Sequence, residues 1–249
     1  MRKVYVVRLV GRCVVFVLCG LVWFFKRESF SVLEGWNFFE GLTPFHILWC
    51  IWVFDMLEQM LPITKKIPLG SAKHFAHRFR PAEIKESLTK DNVTKLVAKN
   101  AEALKKYIVS TTKAAYKVMI LWVLLLAVIG VLYYTEVIDK SVLFMISVAF
   151  YVCDLICVLI WCPFRLLMKT RCCTTCRIFN WDHFMMFSPM MFMGGFYGES
   201  LFIMSLIVFV IWELCVLIHP ERFWEGSNEA LKCSECTDKL CTQYCRKLR

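Results

Sequence analysis

Seven cysteines gather in two short stretches, RCCTTCR at 171–177 and KCSECTDKLCTQYC at 232–245. Two thiolates separated by two residues reach one ion from a single tight turn. Two such pairs complete the tetrahedron that Zn²⁺ prefers. Cys173 with Cys176 and Cys233 with Cys236 are such pairs, and Cys172, Cys241 and Cys245 are alternates. Arg171, Arg177 and Lys232 stand beside the thiols and would hold them deprotonated. The expected group is therefore a structural zinc. His183 or His219 could replace one thiolate. Other chemistries use the same residues: four ligands from the tail alone, an iron–sulfur cluster, a redox dithiol, or disulfides if the tail lay outside the cell. The tail spacing departs from the ferredoxin run, which makes iron–sulfur the weaker match. The other seven cysteines (Cys13, Cys19, Cys50, Cys153, Cys157, Cys162, Cys215) lie in apolar stretches and are expected to pack as small apolar side chains.

A second set of residues is conspicuous for its surroundings. Asp55, Glu58, Asp154 and Glu213 each interrupt a long apolar run. An ionisable group inside a membrane is costly unless paired or wetted, so each is a candidate for function. Counted from the inner ends of their helices, all four fall at a depth of about 7–12 Å, which makes one acidic layer. Such a layer could conduct a cation or a proton. The plainer expectation is that each acid pairs with Arg12, Arg165 or Lys169, or joins helices by hydrogen bonds. Asp182-His183 could join the layer. Met185, Met186, Met190, Met191 and Met193 could carry Cu(I), but their mixing with Phe favours packing. His74-Phe-Ala-His77 reads as a solvated pair in a basic stretch.

The elements that must position these residues are apolar helices. A span needs about 20 mostly apolar residues. Leu9–Phe25, Phe45–Ile63, Val118–Thr135, Ser141–Cys162 and Leu201–Ile218 qualify. The first carries basic residues ahead of it and no small-residue cleavage site after it, so it reads as an uncleaved helix. Trp181–Tyr197, WDHFMMFSPMMFMGGFY, is weaker, being broken by Pro189 and Gly194-Gly195; it either crosses or is re-entrant. If it crosses, 27 of the 30 Lys and Arg fall on the inner side; if not, 21 do. The positive-inside rule favours crossing, with both termini cytoplasmic.

The chain-wide numbers agree with this class. Of 249 residues 59% are apolar and 20% charged, with a mean hydropathy of +0.57. A soluble domain would be about 45–50% apolar. The expected organisation is all-α and polytopic, with about six transmembrane helices, or five if Trp181–Tyr197 is re-entrant. Helices 1 and 2 occupy 1–64, a basic cytoplasmic helical loop 65–117, and helices 3 and 4 118–162. A Cys-rich loop covers 163–180, a short broken helix and the last span 181–218, and a Cys-rich tail 219–249. The basic loop has 13 Lys and Arg against 4 acids. It suits anionic lipid headgroups and lacks the aromatic platform or base-reading motif that nucleic acid would need. Its later part is periodic enough to run on as helix into the third span. No GxSxG, HExxH, P-loop or strand-borne GxGxxG is present. The leading expectation is a non-enzymatic subunit or scaffold of the cell membrane, joined to a membrane partner or a second copy of itself. A cation or proton transporter and a membrane thiol oxidoreductase are the alternatives.

Overall fold

A computed structural model of the chain describes residues 2–61, 74–82, 90–169, 176–232 and 234. Of these, 83% are helical and none lies in a strand. The long helices are α1 (Arg2–Phe25), α2 (Pro44–Met60), α3 (Lys90–Tyr134) and α4 (Lys140–Leu159). Two short helices follow, α5 (Phe164–Met168) and α6 (Asp182–Phe187), and then α7 (Gly195–Ile218). Four helical stretches are long and apolar enough to cross a membrane: Lys3–Phe25, Lys99–Tyr134, Lys140–Leu159 and Gly195–Ile218. Their outward faces bear uncovered residues such as Val7, Phe24, Leu124 and Leu217, as expected of helices solvated by lipid.

Local chemistry sets the helix ends. Thr43 and Pro44 open α2, with the His46 imidazole folded back so that its Nδ1 accepts from Thr43 N at 3.0 Å. Asp139 opens α4 by accepting from Val142 N at 3.0 Å. The turn from α3 to α4 contains Glu136 at a φ of 59°. The helix expected to continue from the basic loop into the third span does so: α3 is one helix of 45 residues, about 68 Å long. The expected spans differ at their ends from the helices. α1 and α7 start earlier, at Arg2 and Gly195, while α2 and α4 stop sooner, at Met60 and Leu159.

Pairs along the helices fix their relative direction. Arg12 meets Asp154, Trp23 meets Ser141 and Arg27 meets Asp139, so α1 and α4 are antiparallel. Tyr197 donates to Phe45 O and Trp49 to Ser200, so α2 and α7 run together. The end at which α1 begins is the basal end; the other is distal. The distal half is filled by aromatic rings, with Trp52, Phe144, Phe187 and Tyr197 fully buried.

The stretch 177–195 passes through the bundle in three pieces. A 3₁₀ turn (Arg177–Trp181) leads into α6, and a second 3₁₀ turn (Ser188–Phe192) follows. Pro189 causes the change of helix type: without an N–H it leaves Met185 O unserved. The Ser188 hydroxyl supplies the missing donor at 3.1 Å and accepts in turn from Trp122 Nε1 at 3.0 Å. Arg177 touches Thr112, Ser188 touches Trp122, and the Phe192 ring lies where a Cβ on Gly130 would be 2.9 Å away. The stretch thus keeps step with α3. Its 3₁₀ pieces rise about 2.0 Å per residue against 1.5 Å for the α piece, so 16 residues reach about 29 Å. At its end Gly195, at φ 78°, lets Phe196 N donate to Gly35 O at 2.9 Å.

One expectation is overturned here. His74 and His77 are not a solvated pair on a helix. The turn Ala76–Arg78, which carries His77, is 3₁₀, and His74 is buried, its ring stacked on Phe223 with centroids 4.4 Å apart. Residues 74–75 pack against Trp212 and Phe223, which gives the His74 imidazole aromatic neighbours.

Candidate functional site

The charged groups of the bundle collect near its basal end. Arg12 of α1 donates through Nη1 to Asp154 Oδ2 at 2.6 Å and to Tyr151 O at 2.7 Å. Its guanidinium carbon sits 3.9 Å from the centre of the Tyr151 ring. The Tyr151 hydroxyl points at Asp55 Oδ2, 3.5 Å away. On the adjoining turns, Arg8 stands 3.9 Å from Glu58, whose side chain is almost fully covered. Spacing explains the arrangement: Arg8 and Arg12 share one face of α1, as Asp55 and Glu58 share one face of α2.

Next to this group α6 brings its first residues. Gln59 Nε2 donates to Asp182 Oδ1 at 3.0 Å, and Gln59 Oε1 lies 2.7 Å from His183 Nδ1. Asp182 Oδ1 also accepts from His183 N at 2.7 Å and lies 3.0 Å from its Nδ1. With two acceptors facing it, Nδ1 is the ring nitrogen that carries hydrogen. Nε2 is buried and has no hydrogen-bond partner among the described residues.

Glu213 of α7 forms a separate cluster. Arg177 grips both carboxylate oxygens, with Nε 3.0 Å from Oε1 and Nη2 on Oε2, and its Nη1 reaches Thr112 at 2.7 Å. Trp181 Nε1 adds a bond to Oε1 at 2.7 Å. A forked arginine–carboxylate pair with a third donor fixes α7, α3 and the 177–181 turn to one another.

Each of the four acids inside the apolar helices therefore faces an arginine or a tyrosine hydroxyl. Arg12 is one of the cations expected from the sequence. Arg8 and Arg177 are not, and Gln59 was not singled out at all. Arg177, expected beside the thiolates, also grips Glu213 and Thr112. The geometric signal was present, since Arg177 precedes Trp181 by one turn and both serve Glu213. It is a tertiary signal that no linear spacing carries. Lys232, also expected beside thiolates, lies 2.9 Å from Glu229, and His219 Nδ1 lies 3.2 Å from Glu221.

Cys172, Cys173, Cys233, Cys236, Cys241 and Cys245 lie outside the described residues. Cys176 is described and buried. Among the described residues no group of three His, Cys, Asp or Glu is arranged to hold a metal ion. The stretches that flank the two Cys-rich segments do meet: Met168, Arg177 and Phe223 close around Tyr107 in one small cavity. The methionines 185, 186, 190 and 193 are buried in apolar packing.

Comparison with known proteins adds no relative: no family model, curated protein or solved structure matches the chain. Its description is that of a helical protein with helices fit to cross a membrane.

Proposed function

We propose that the chain is a six-pass membrane subunit without catalytic activity of its own, with both termini on the cytoplasmic side. In this reading the six crossings are α1 to α4, the 177–195 stretch and α7. The basal end then carries 27 of the 30 Lys and Arg, and the charge rule makes it cytoplasmic. The cell membrane is the setting, and the basic segments of residues 65–117 meet anionic headgroups.

The observation that carries the reading is the neutralisation of the charged layer. Arg12 on Asp154, Arg177 on Glu213 and Arg8 on Glu58 each tie two elements together. A route for ions needs groups that release and rebind a passing charge, whereas these are held by fixed arginines. Distal to the layer lie Trp52, Phe144, Phe187 and Tyr197, all fully buried. This arrangement favours a rigid frame for a partner protein, or for a second copy, over a transporter.

The Cys-rich turn and tail would close the cytoplasmic face around a structural zinc held by Cys173, Cys176, Cys233 and Cys236. The meeting of Met168, Arg177 and Phe223 around Tyr107 supports this, because these residues flank the two segments. Metal analysis of the purified chain tests it. About one zinc per chain is expected, with Cys236→Ser losing the metal. Protein that is folded and free of zinc would remove the zinc site, and proton flux abolished by Asp154→Asn in folded protein would replace the frame by a transporter.

A further inference from the structure

In the basal layer Arg8 answers Glu58 and Arg12 answers Asp154, but two further carboxylates stand there. Asp55 meets the Tyr151 hydroxyl at 3.5 Å. Asp182 accepts from the Gln59 amide and from His183 N. None of these donors carries a charge. Among the described residues, two negative charges are thus left unmatched where α2, α4 and α6 meet. A charge inside a bundle is costly unless paired.

His183 sits among these acids with its side chain only 7% exposed. Gln59 sets its tautomer. Because Gln59 Nε2 donates to Asp182, it is Gln59 Oε1 that faces His183 Nδ1, at 2.7 Å, and Nδ1 holds the hydrogen. Nε2 is left as an enclosed lone pair with no hydrogen-bond partner among the described residues. Asp182, Asp55 and Asp154 all act on the ring through their fields. The other titratable groups facing the layer are Arg8 and Arg12 of α1, Glu58 of α2 and Tyr151 of α4. Glu213 of α7 is held apart by Arg177 and Trp181. A bare acceptor enclosed in a net negative field is a seat for one cation, and an imidazole nitrogen suits a proton.

We infer that His183 Nε2 is a proton-binding site whose occupation supplies the cation that Asp55 and Asp182 lack. Only an N–H bond forms; the proton comes from solution and returns to it. The rings of Trp52 and Phe187, fully buried with centroids 5.1 Å apart, close the distal side. The proton therefore exchanges at the basal face and does not cross. With it bound, the contact between α2 and α6 is tight; without it, two unmatched carboxylates weaken that contact. That the pH sensed is cytoplasmic rests on the proposed topology. The proton site itself stands without the topology and without the zinc.

The test is nitrogen NMR of the full chain in detergent with isotope-labelled histidine, the His183→Gln variant identifying the signal. At about pH 7 both ring nitrogens of His183 should give protonated signals. Titration from about pH 5 to pH 9 should show proton affinity lowered about tenfold or more in Asp55→Asn. Asp55→Glu, which keeps the charge, should stay within about threefold of the parent. Only variants that elute as the parent does are compared. Thermal unfolding gives a second readout: the stability gap between the parent and His183→Gln should be present in acid and close as pH rises. A bare Nε2 in the parent at about pH 7, an affinity unchanged by Asp55→Asn, or a gap that widens with rising pH would overturn the inference.

Discussion

Arg12 and Asp154 meet at 2.6 Å with side chains only 11% and 14% exposed, whereas Arg27 and Asp139 pair across side chains that are 59% and 46% exposed. Burial separates the consequences of breaking them. Arg12→Ala strands a carboxylate inside the bundle and should cost about 3–5 kcal/mol. Arg27→Ala should stay within about 1 kcal/mol. Chemical denaturation in detergent measures both, and Asp154→Asn in the Arg12→Ala background should recover part of the loss. Asp139 adds a dependence on pH. Desolvation pushes its carboxyl up, but hydrogen bonds from Ser141, Val142 N and Arg27 together outweigh it and hold the group below its ordinary range. Its contribution is complete above the ordinary carboxylate pKa and is lost as pH falls through the lowered one. The stability gap between the parent and Asp139→Asn should thus narrow below about pH 4. A gap that widened on acidification would contradict the assignment. The acids of the layer were legible in the sequence because each breaks an apolar run. Their partners were less so: Arg12 lies within an apolar run, while Arg8 and Arg177 lie outside the expected spans and enter the layer only through tertiary packing.

The elements follow from local rules more closely than the site does. Apolar length foretold five clear spans; four of them are helices long and apolar enough to cross a membrane, while α2, at 17 residues, is not among these. The periodicity after Val93 foretold that the basic loop and the third span share α3. The 177–195 stretch resisted because Pro189 and the glycine pair read as breaks. The structure turns each break to use. Pro189 lengthens the rise, with the Ser188 hydroxyl serving the Met185 carbonyl it leaves without a donor, and Gly195 takes a φ of 78° against the backbone of Gly35. A Cβ at Gly195 would stand 2.7 Å from both the N and the O of Gly35. Gly195→Ala should therefore cost more than the roughly 1–2 kcal/mol of left-handed backbone strain alone, read as a lowered midpoint of thermal unfolding. Gly11→Ala, with open space around it, should be neutral or slightly stabilising. Equal effects at both positions would mean that the start of α7 does not dock on the loop after α1.

At the scale of the whole molecule the account rests on one passage of chain. Contacts carry residues 177–195 from Thr112, near Glu213, past Trp122 and Gly130 to Gly35 at the opposite end. The proposed six crossings, with residues 171–177 and the tail on one side and nearly all the positive charge at the basal end, depend on that passage. Labelling of Cys241 and Cys245 by a membrane-impermeant maleimide tests it most directly. In intact cells both should stay unlabelled, and they should react once the membrane is opened and zinc is chelated. Labelling in intact cells would put the tail outside and leave an odd number of crossings.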